Sequence, residues 1–459
     1  MIFDQYYLDC LSHASYLIAD ETTGRAVVVD PQRDISEYLA DAEAKGLTIE
    51  LVLETHFHAD FLSGHLELAE ATGAEIGYSS VAETEFDIRP LADGERISLG
   101  EVVLEIRHTP GHTPESMSIV VWEHADDDVP YGVLTGDTLF IGDVGRPDLL
   151  ASVGFTRDEL ATKLYDSLHD KLLTLPDSTQ VFPAHGAGSA CGKNLSTELT
   201  STIGAQRQEN YALLAPDRET FIDLVTEGQA PAPGYFIHDA TMNKKQRALM
   251  DEATAPRAMT WDEVEDALSA GALLVDGRDP IEFARGHLRG AVNVGLEGRY
   301  AEFAGSVVPV DADIVLFVEP GAELEAKNRL GRIGFDRVLG HVARPFEVLL
   351  EHQDKAQVAS RLTPVDFEDR RTELDELQVV DVRNAGEHAL GALPDAVNIP
   401  VGQLPGRLDE LDPNRPTVVY CAGGYRSSVA ASLLRANGFA DVSDIVGGYG
   451  AWTDVVQPA

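Results

Sequence analysis

Residues 49–65 read IELVLETHFHADFLSGH: an apolar run through Leu53 stops at Glu54-Thr55 and opens into His56, His58, Asp60 and His65. A short apolar run of this kind predicts a buried strand, and the histidines then sit on the loop at its end, where layered α/β folds carry functional side chains. The arrangement recurs downstream. His112 lies in TPGHTPES, Asp137 in TGDTLFIGDVGRPDL and His185 in FPAHGAGSACGK, each behind another strand-like run. Turns at strand ends can bring such distant groups around one cation, and imidazole with carboxylate suits zinc or iron. A lone histidine near a turn is ordinarily solvated or structural; HxHxD with GH, GD and AHG, each after a strand, is poorly explained that way.

The surrounding pattern extends the α/β reading. Strands are predicted at Ala26–Asp30, Val102–Ile106, Ser118–Trp122 and Tyr131–Thr135, and helices at Ile35–Lys45 and His65–Thr72, with Asp30-Pro31, Gly111 and Gly136 as punctuation. The stretch Gly228–Gly234 (GQAPAPG) breaks this rhythm, and the first domain is expected to end near residue 250. Beyond it lies an internal repeat. Leu274–Val294 (LVDGRDPIEFARGHLRGAVNV) matches Val380–Ile399 (VDVRNAGEHALGALPDAVNI), pairing Asp276 with Asp381, Arg278 with Arg383, Glu282 with Glu387, Gly286 with Gly391 and Asn293 with Asn398 at one constant offset. A single repeat this long implies tandem domains and not a solenoid, whose period is ~20–50 residues. The expected domains are 1–250, 257–355 and 360–459, in keeping with roughly 150 residues per domain.

Thr417–Ser428 reads TVVYCAGGYRSS and runs into the helical stretch VAASLLRANGF. A strand, a cysteine, a glycine-rich loop and a helix in that order aim successive N–H groups at one point, an anion nest reinforced by the helix N-terminus. That field favours a thiolate, or a persulfide anion, at Cys421. Arg426 offers a fork for sulfite or thiosulfate oxygens, and Ser427 a hydroxyl donor. The first repeat has Phe317-Val318 and then Glu319, Pro320, Gly321, Ala322 and Glu323 at this place: no thiol, and negative charge where an anion would sit. It is expected to be catalytically silent.

Three cysteines, Cys10, Cys191 and Cys421, are too sparse for a disulfide framework and point to a reducing compartment. Cys10 reads as a structural residue of an N-terminal strand. Cys191 is a candidate thiol site near the metal mouth, with Lys193 beside it to favour thiolate. The net charge of −42 opposes binding to nucleic acid or an anionic membrane. Eight lysines against 27 arginines accompany that charge, which suits a protein in concentrated salt, where ions screen self-repulsion. No apolar stretch approaches the ~18 residues of a membrane helix, and the opening segment lacks the basic residues of a secretory signal. A cytoplasmic location is expected.

Over about residues 1–235 these motifs resemble the metallo-β-lactamase superfamily. The usual signature there is HxHxDH, but Phe61 stands where the last histidine belongs. A phenyl ring has no lone pair to donate, so a full second metal site is not expected, which speaks against a two-metal hydrolase such as glyoxalase II. THFHADFLSGH, TPGHTPES and GDTLFIGDVGRPDL are similar to the persulfide dioxygenase branch. That resemblance implies one Fe(II) per chain held by His56, His112 and Asp137, a set that leaves positions open for O₂ and substrate. His58, Asp60 and His185 would then orient the ligands or the persulfide. Zinc held by His56, His58 and His112 is the alternative. Residues 362–455 resemble the rhodanese family, through the VDVR opening, the cysteine loop and the GGYGAW ending at Gly447–Trp452. A protein phosphatase cradle has one more residue between cysteine and arginine.

The whole order resembles bacterial persulfide dioxygenase–sulfurtransferase fusion enzymes. It implies an α/β chain, an αββα metallo-β-lactamase sandwich followed by two α/β rhodanese-like domains. It further implies a thiol persulfide and O₂ as substrates, sulfite and thiosulfate as products or partners, and a role in sulfide detoxification. A homo-oligomer is compatible with the sequence. A zinc thioester hydrolase and a non-enzymatic sulfur relay are the rival readings.

Overall fold

Successive side chains of a strand leave it on opposite faces, and along His13–Ala19 both faces are buried. Ala14, Tyr16 and Ile18 enter one core while Leu17 and Ala19 enter another; Val27 and Val29 divide from Ala26 and Val28 in the same way. This double burial requires a layer on each side of the sheet. In the computed structural model, which describes residues 1–149, 154–229, 231–374 and 376–456, those layers are present. One six-stranded sheet runs Ile2–Leu8, His13–Ala19, Arg25–Val29, Thr48–Leu53, Glu75–Ser79 and Arg89–Leu91 in neighbour order. The second runs Ser201–Thr202, Gln180–Pro183, Gly132–Gly136, Met117–Trp122, Val103–His108 and Arg96–Ser98. Their inner faces share one core, in which Tyr16, Val29 and Leu53 meet Leu104, Ile119 and Leu134. Helices Ser36–Lys45 and His65–Thr72 cover the outside of the first sheet through Tyr38 and Leu68. Helices Arg157–Ser167 and Arg218–Thr226 cover the second through Leu164 and Phe221. The result is the αββα sandwich.

The chain divides into two compact units, Met1–Ala232 with Phe236–Met250, and Pro233–Tyr235 with Asp251–Ala459. Within the Gly228–Gly234 stretch, residue 230 lies outside the described residues, as do 457–459 of the last expected domain. The second unit contains the repeat as two parallel five-stranded sheets of identical order. One runs Ala258–Met259, Val338–Val342, Ile314–Phe317, Leu273–Asp276 and Val292–Asn293; the other runs Ser360–Leu362, Val442–Ile445, Thr417–Tyr420, Gln378–Asp381 and Val397–Asn398. Cys10 falls in the turn after Ile2–Leu8 and not in that strand as expected, because the strand stops two residues earlier. Among the described residues no helix is long and apolar enough to cross a membrane.

Candidate metal centre and thiol cradle

The strand Thr48–Leu53 delivers Glu54 and Thr55 to its end, and Thr55 sets the first imidazole. Asp30, held at a left-handed φ of 50° by the strand end it closes, accepts from the Thr55 N–H at 2.7 Å and from its hydroxyl at 2.9 Å. With its proton committed to Asp30, the Thr55 Oγ1 accepts from His56 Nδ1 at 2.9 Å, which leaves the His56 Nε2 lone pair free. His112 is set in the same way, its Nδ1 donating to the Arg146 carbonyl at 2.9 Å. Asp137, just past Gly132–Gly136, has one carboxylate oxygen occupied by His185 Nδ1 at 2.7 Å. Its other oxygen lies 3.7 Å from His56 Nε2 and 3.5 Å from His112 Nε2.

His56 Nε2 and Asp137 Oδ2 are buried with no hydrogen-bond partner. Orphaned buried polar atoms are costly, and here they converge with His112 into a donor set whose ligand atoms lie within 4.8 Å of one another. A divalent cation fits that gap. Burial keeps His56 and His112 below the ordinary histidine range, neutral and fit to ligate. Burial alone would raise Asp137, but the neighbouring His185 holds it below the usual carboxylate range.

His58, Asp60 and His185 form a second group around this one. His185 Nε2 lies 2.8 Å from Asp60 Oδ2, and the two carboxylates overcome burial to hold its imidazole well above the ordinary range. His58 Nε2 lies 3.1 Å from Asp30 Oδ1. The Phe61 ring is buried against His13 and His58, with centroids 4.1 and 4.4 Å away.

The expectation for Cys191 and Lys193 is corrected. The Lys193 ammonium donates to the backbone carbonyls of Leu224, at 2.7 Å, and Glu227, so it is spent there and does not serve the thiol. Cys191 is buried near Asp137 and His185, and burial with the Asp60 and Asp137 charges pushes its thiol well up, which opposes thiolate.

Several residues that set this centre carry no signal as ligands. Asp30 reads only as turn punctuation in the sequence. Asn243 lies in a polar segment yet is fully buried. Its side-chain amide donates to the His58 and Phe61 carbonyls, both at 2.8 Å, and accepts from the Ser63 N–H at 2.9 Å. One side chain thus pins the loop carrying His58 and Asp60.

In the second unit, Thr417–Tyr420 is buried throughout and ends at Cys421. The Gly424 N–H donates to Cys421 Sγ at 3.0 Å, with Gly424 at φ 103°, capping the helix Tyr425–Ala436. The GGYGAW ending shapes the other side. A Cβ on Gly448 would lie 2.2 Å from the Cys421 carbonyl oxygen, so only glycine permits that approach. Tyr449 and Gly450 donate to the Cys421 and Ala422 carbonyls at 2.7 and 3.1 Å. Two expected roles are revised. Arg426 Nη1 and Nη2 both donate to Glu387, at 2.7 and 2.8 Å, so its fork is already filled by a carboxylate, although Cys421 also helps raise the guanidinium's pKa. Ser427 turns its hydroxyl proton to the Gly424 carbonyl at 3.1 Å, 3.6 Å from Cys421 Sγ.

The repeated residues brace backbone in both sheets. Arg278 and Arg383 pair with Asp276 and Asp381 at 2.6 and 2.7 Å and donate to the Gly286 and Gly391 carbonyls. Asn293 and Asn398 each donate to the two flanking carbonyls of that turn. In the first repeat Val318 is buried at the cysteine's place, and Glu323 accepts from the Gly321 N–H at 2.8 Å.

Comparison with known proteins matches residues 8–185 to the metallo-beta-lactamase superfamily, and residues 260–339 and 363–454 to the rhodanese-like domain. The mitochondrial persulfide dioxygenase of Bos taurus is 31% identical over 223 residues, 48% of this chain and 78% of that protein. A hydroxyacylglutathione hydrolase of Rhodospirillum rubrum is 34% identical over 278 residues, 60% of this chain and 92% of that protein. The crystal structure of a metallo-beta-lactamase from Staphylococcus aureus subsp. aureus COL superposes with a TM-score of 0.67 at 34% identity, covering 74% of this chain and 98% of that one. The chain spans 57% of the length of a beta-lactamase hydrolase-like protein of Xylella fastidiosa.

Proposed function

This chain belongs to the metallo-β-lactamase superfamily and carries two rhodanese-like domains behind that fold, and from this we propose that it is a persulfide dioxygenase coupled to a sulfurtransferase in sulfide detoxification. The reading assigns residues 1–250 to oxidation, 257–355 to a thiol-free repeat and 360–459 to sulfur transfer. Its support is the convergence of His56 Nε2, His112 Nε2 and Asp137 Oδ2, two of these atoms otherwise orphaned, in a chain that also carries the Cys421 cradle.

A low-molecular-weight thiol persulfide, RSSH, is oxidised with O₂ and water to RSH, sulfite and two protons. An Fe(II) held by two imidazoles and one carboxylate would supply open positions for both reactants. Thr55 and Arg146 fix the two imidazole tautomers, and His185 holds Asp137 ionised and oriented. Phe61 places an apolar ring, packed against His13 and His58, where a further ligand would otherwise stand. Cys421 then takes a sulfane sulfur from one RSSH and passes it to sulfite, giving thiosulfate and RSH, or runs the exchange in reverse.

The test is O₂ uptake by iron-loaded protein over a panel of thiol persulfides, with sulfite and thiosulfate as the assayed products. Uptake that depends on persulfide and iron is the expected result. The similarity to hydroxyacylglutathione hydrolase supports a second reading, a zinc thioester hydrolase. Thioester cleavage by zinc-loaded protein, with no O₂ uptake on any persulfide, would establish that reading instead.

A further inference from the structure

Tyr425 stands in the cysteine loop between Gly424, which donates to Cys421 Sγ, and Arg426. A tyrosine carries an apolar ring and a hydroxyl that takes a hydrogen-bond partner when it is buried. This one is seated in the other repeat. Its hydroxyl donates to the Gly295 carbonyl at 2.7 Å, and its ring lies 5.4 Å from that of Phe303. Gly298, at φ 112°, leaves the ring its room, since a Cβ there would crowd it at 3.3 Å, while a Cβ on Gly295 would make ordinary contact at 3.7 Å. Arg329 braces the seat, donating to the Leu296 and Gly298 carbonyls at 2.5 Å. Seven residues along the same helix, and so on the same face, Ser432 Oγ accepts from the Asn293 N–H at 2.8 Å.

We infer that the thiol-free repeat is part of the sulfur site: by holding Tyr425 and Ser432 it fixes the helix N-terminus and loop that cradle Cys421. Tyr425 is a positioning residue, acting through Gly424 and Arg426 on either side of it. The repeat has lost its own thiol but keeps Asn293, the residue whose side chain braces its turn and whose N–H holds the partner helix. The inference rests on the reading of Cys421 as the sulfur carrier.

The experiment uses the full chain and two readouts: iodoacetamide alkylation of Cys421 as a function of pH, followed by mass spectrometry, and thiosulfate sulfurtransfer resolved into kcat and KM. Tyr425→Ala is expected to slow alkylation at neutral pH roughly three- to tenfold and shift its profile to higher pH, because a loosened nest favours thiolate less. Sulfurtransfer kcat should fall with it. Tyr425→Phe, which loses only the bond to Gly295, should lie between. Phe303→Ala changes only the other repeat, and should move both readouts the same way; with Tyr425→Phe it decides the matter if Tyr425→Ala does not fold. Folded Phe303→Ala and Tyr425 variants with wild-type alkylation profiles and kcat would overturn the inference. Alkylation needs no sulfur donor. Wild type that alkylates but accepts no sulfane sulfur would therefore refute the functional reading, while the alkylation profiles still decide the role of the repeat.

Discussion

Arg426 and Glu387 form a two-pronged ion pair at 2.7 and 2.8 Å at the rim of the Cys421 cradle. Burial would raise the Glu387 carboxyl, but Arg426 holds it below the ordinary range, so the pair is intact at neutral pH and is lost only as pH falls through that depressed value. A dianionic donor such as thiosulfate therefore meets a neutralised arginine. Glu387→Gln keeps the shape and removes the opposing charge. The KM for thiosulfate should drop roughly three- to tenfold, a modest effect because both groups are partly solvent-screened. A raised KM would mean that Glu387 serves to aim the guanidinium and does not restrain it.

Asp137 supplies the carboxylate of the proposed iron set, and His185 occupies its other oxygen. Protein made in iron-replete medium should contain about one equivalent of Fe. Asp137→Ala should lose that metal and its O₂ uptake while retaining thiosulfate sulfurtransfer at Cys421, a site in the other compact unit. Two tightly held zinc ions per wild-type chain would contradict both the metal and its count.

The candidate donor cluster was legible because each of its residues follows an apolar run, and strand ends gather side chains whatever their distance in sequence. The repeat was legible because Asp276, Arg278 and Asn293 do the same backbone work as Asp381, Arg383 and Asn398. Side-chain direction was not. Lys193 stands two residues from Cys191, yet its ammonium reaches the Leu224 and Glu227 carbonyls at the C-terminal end of the helix Arg218–Thr226, because adjacency in a loop fixes no orientation. Arg426 reads as an open fork because its partner lies 39 residues away on another element. Asn243 is beyond sequence reasoning for the same reason, its partners at His58 and Phe61 being about 180 residues distant.

Asn243 carries a stability prediction of its own. Asn243→Ala would strand two buried carbonyls and one buried N–H of the metal loop, at a cost of about 2–4 kcal/mol. The unfolding midpoint of the first unit should fall by several degrees, on the order of 5–10 °C. Iron should also be lost faster on dialysis against a chelator. Calorimetry showing an unchanged first-unit transition would mean that water replaces the amide without loss.

The charge of −42 predicts a salt response. Self-repulsion between acidic side chains is screened within about 3 Å at molar ionic strength. The thermal midpoint should therefore rise from low to molar KCl. A level or falling midpoint would remove the case for adaptation to concentrated salt.

Division of labour between the repeats gives the sharpest test at a single atom. Cys421 Sγ receives the Gly424 N–H, whereas Val318 stands at the equivalent place in the first repeat and offers no nucleophile. A serine hydroxyl at its usual pKa cannot accept sulfane sulfur as a thiolate does. Cys421→Ser should eliminate thiosulfate sulfurtransfer while iron-dependent persulfide oxidation continues, and its product should shift from thiosulfate to free sulfite. In wild type treated with thiosulfate, mass spectrometry should place an adduct of about +32 Da, one sulfur atom on a thiol, on Cys421. The buried thiol of Cys191, pushed up by burial and two carboxylates, should stay unmodified. Thiosulfate formed at the wild-type rate by Cys421→Ser would remove Cys421 from the relay and make Cys191 the next thiol to substitute.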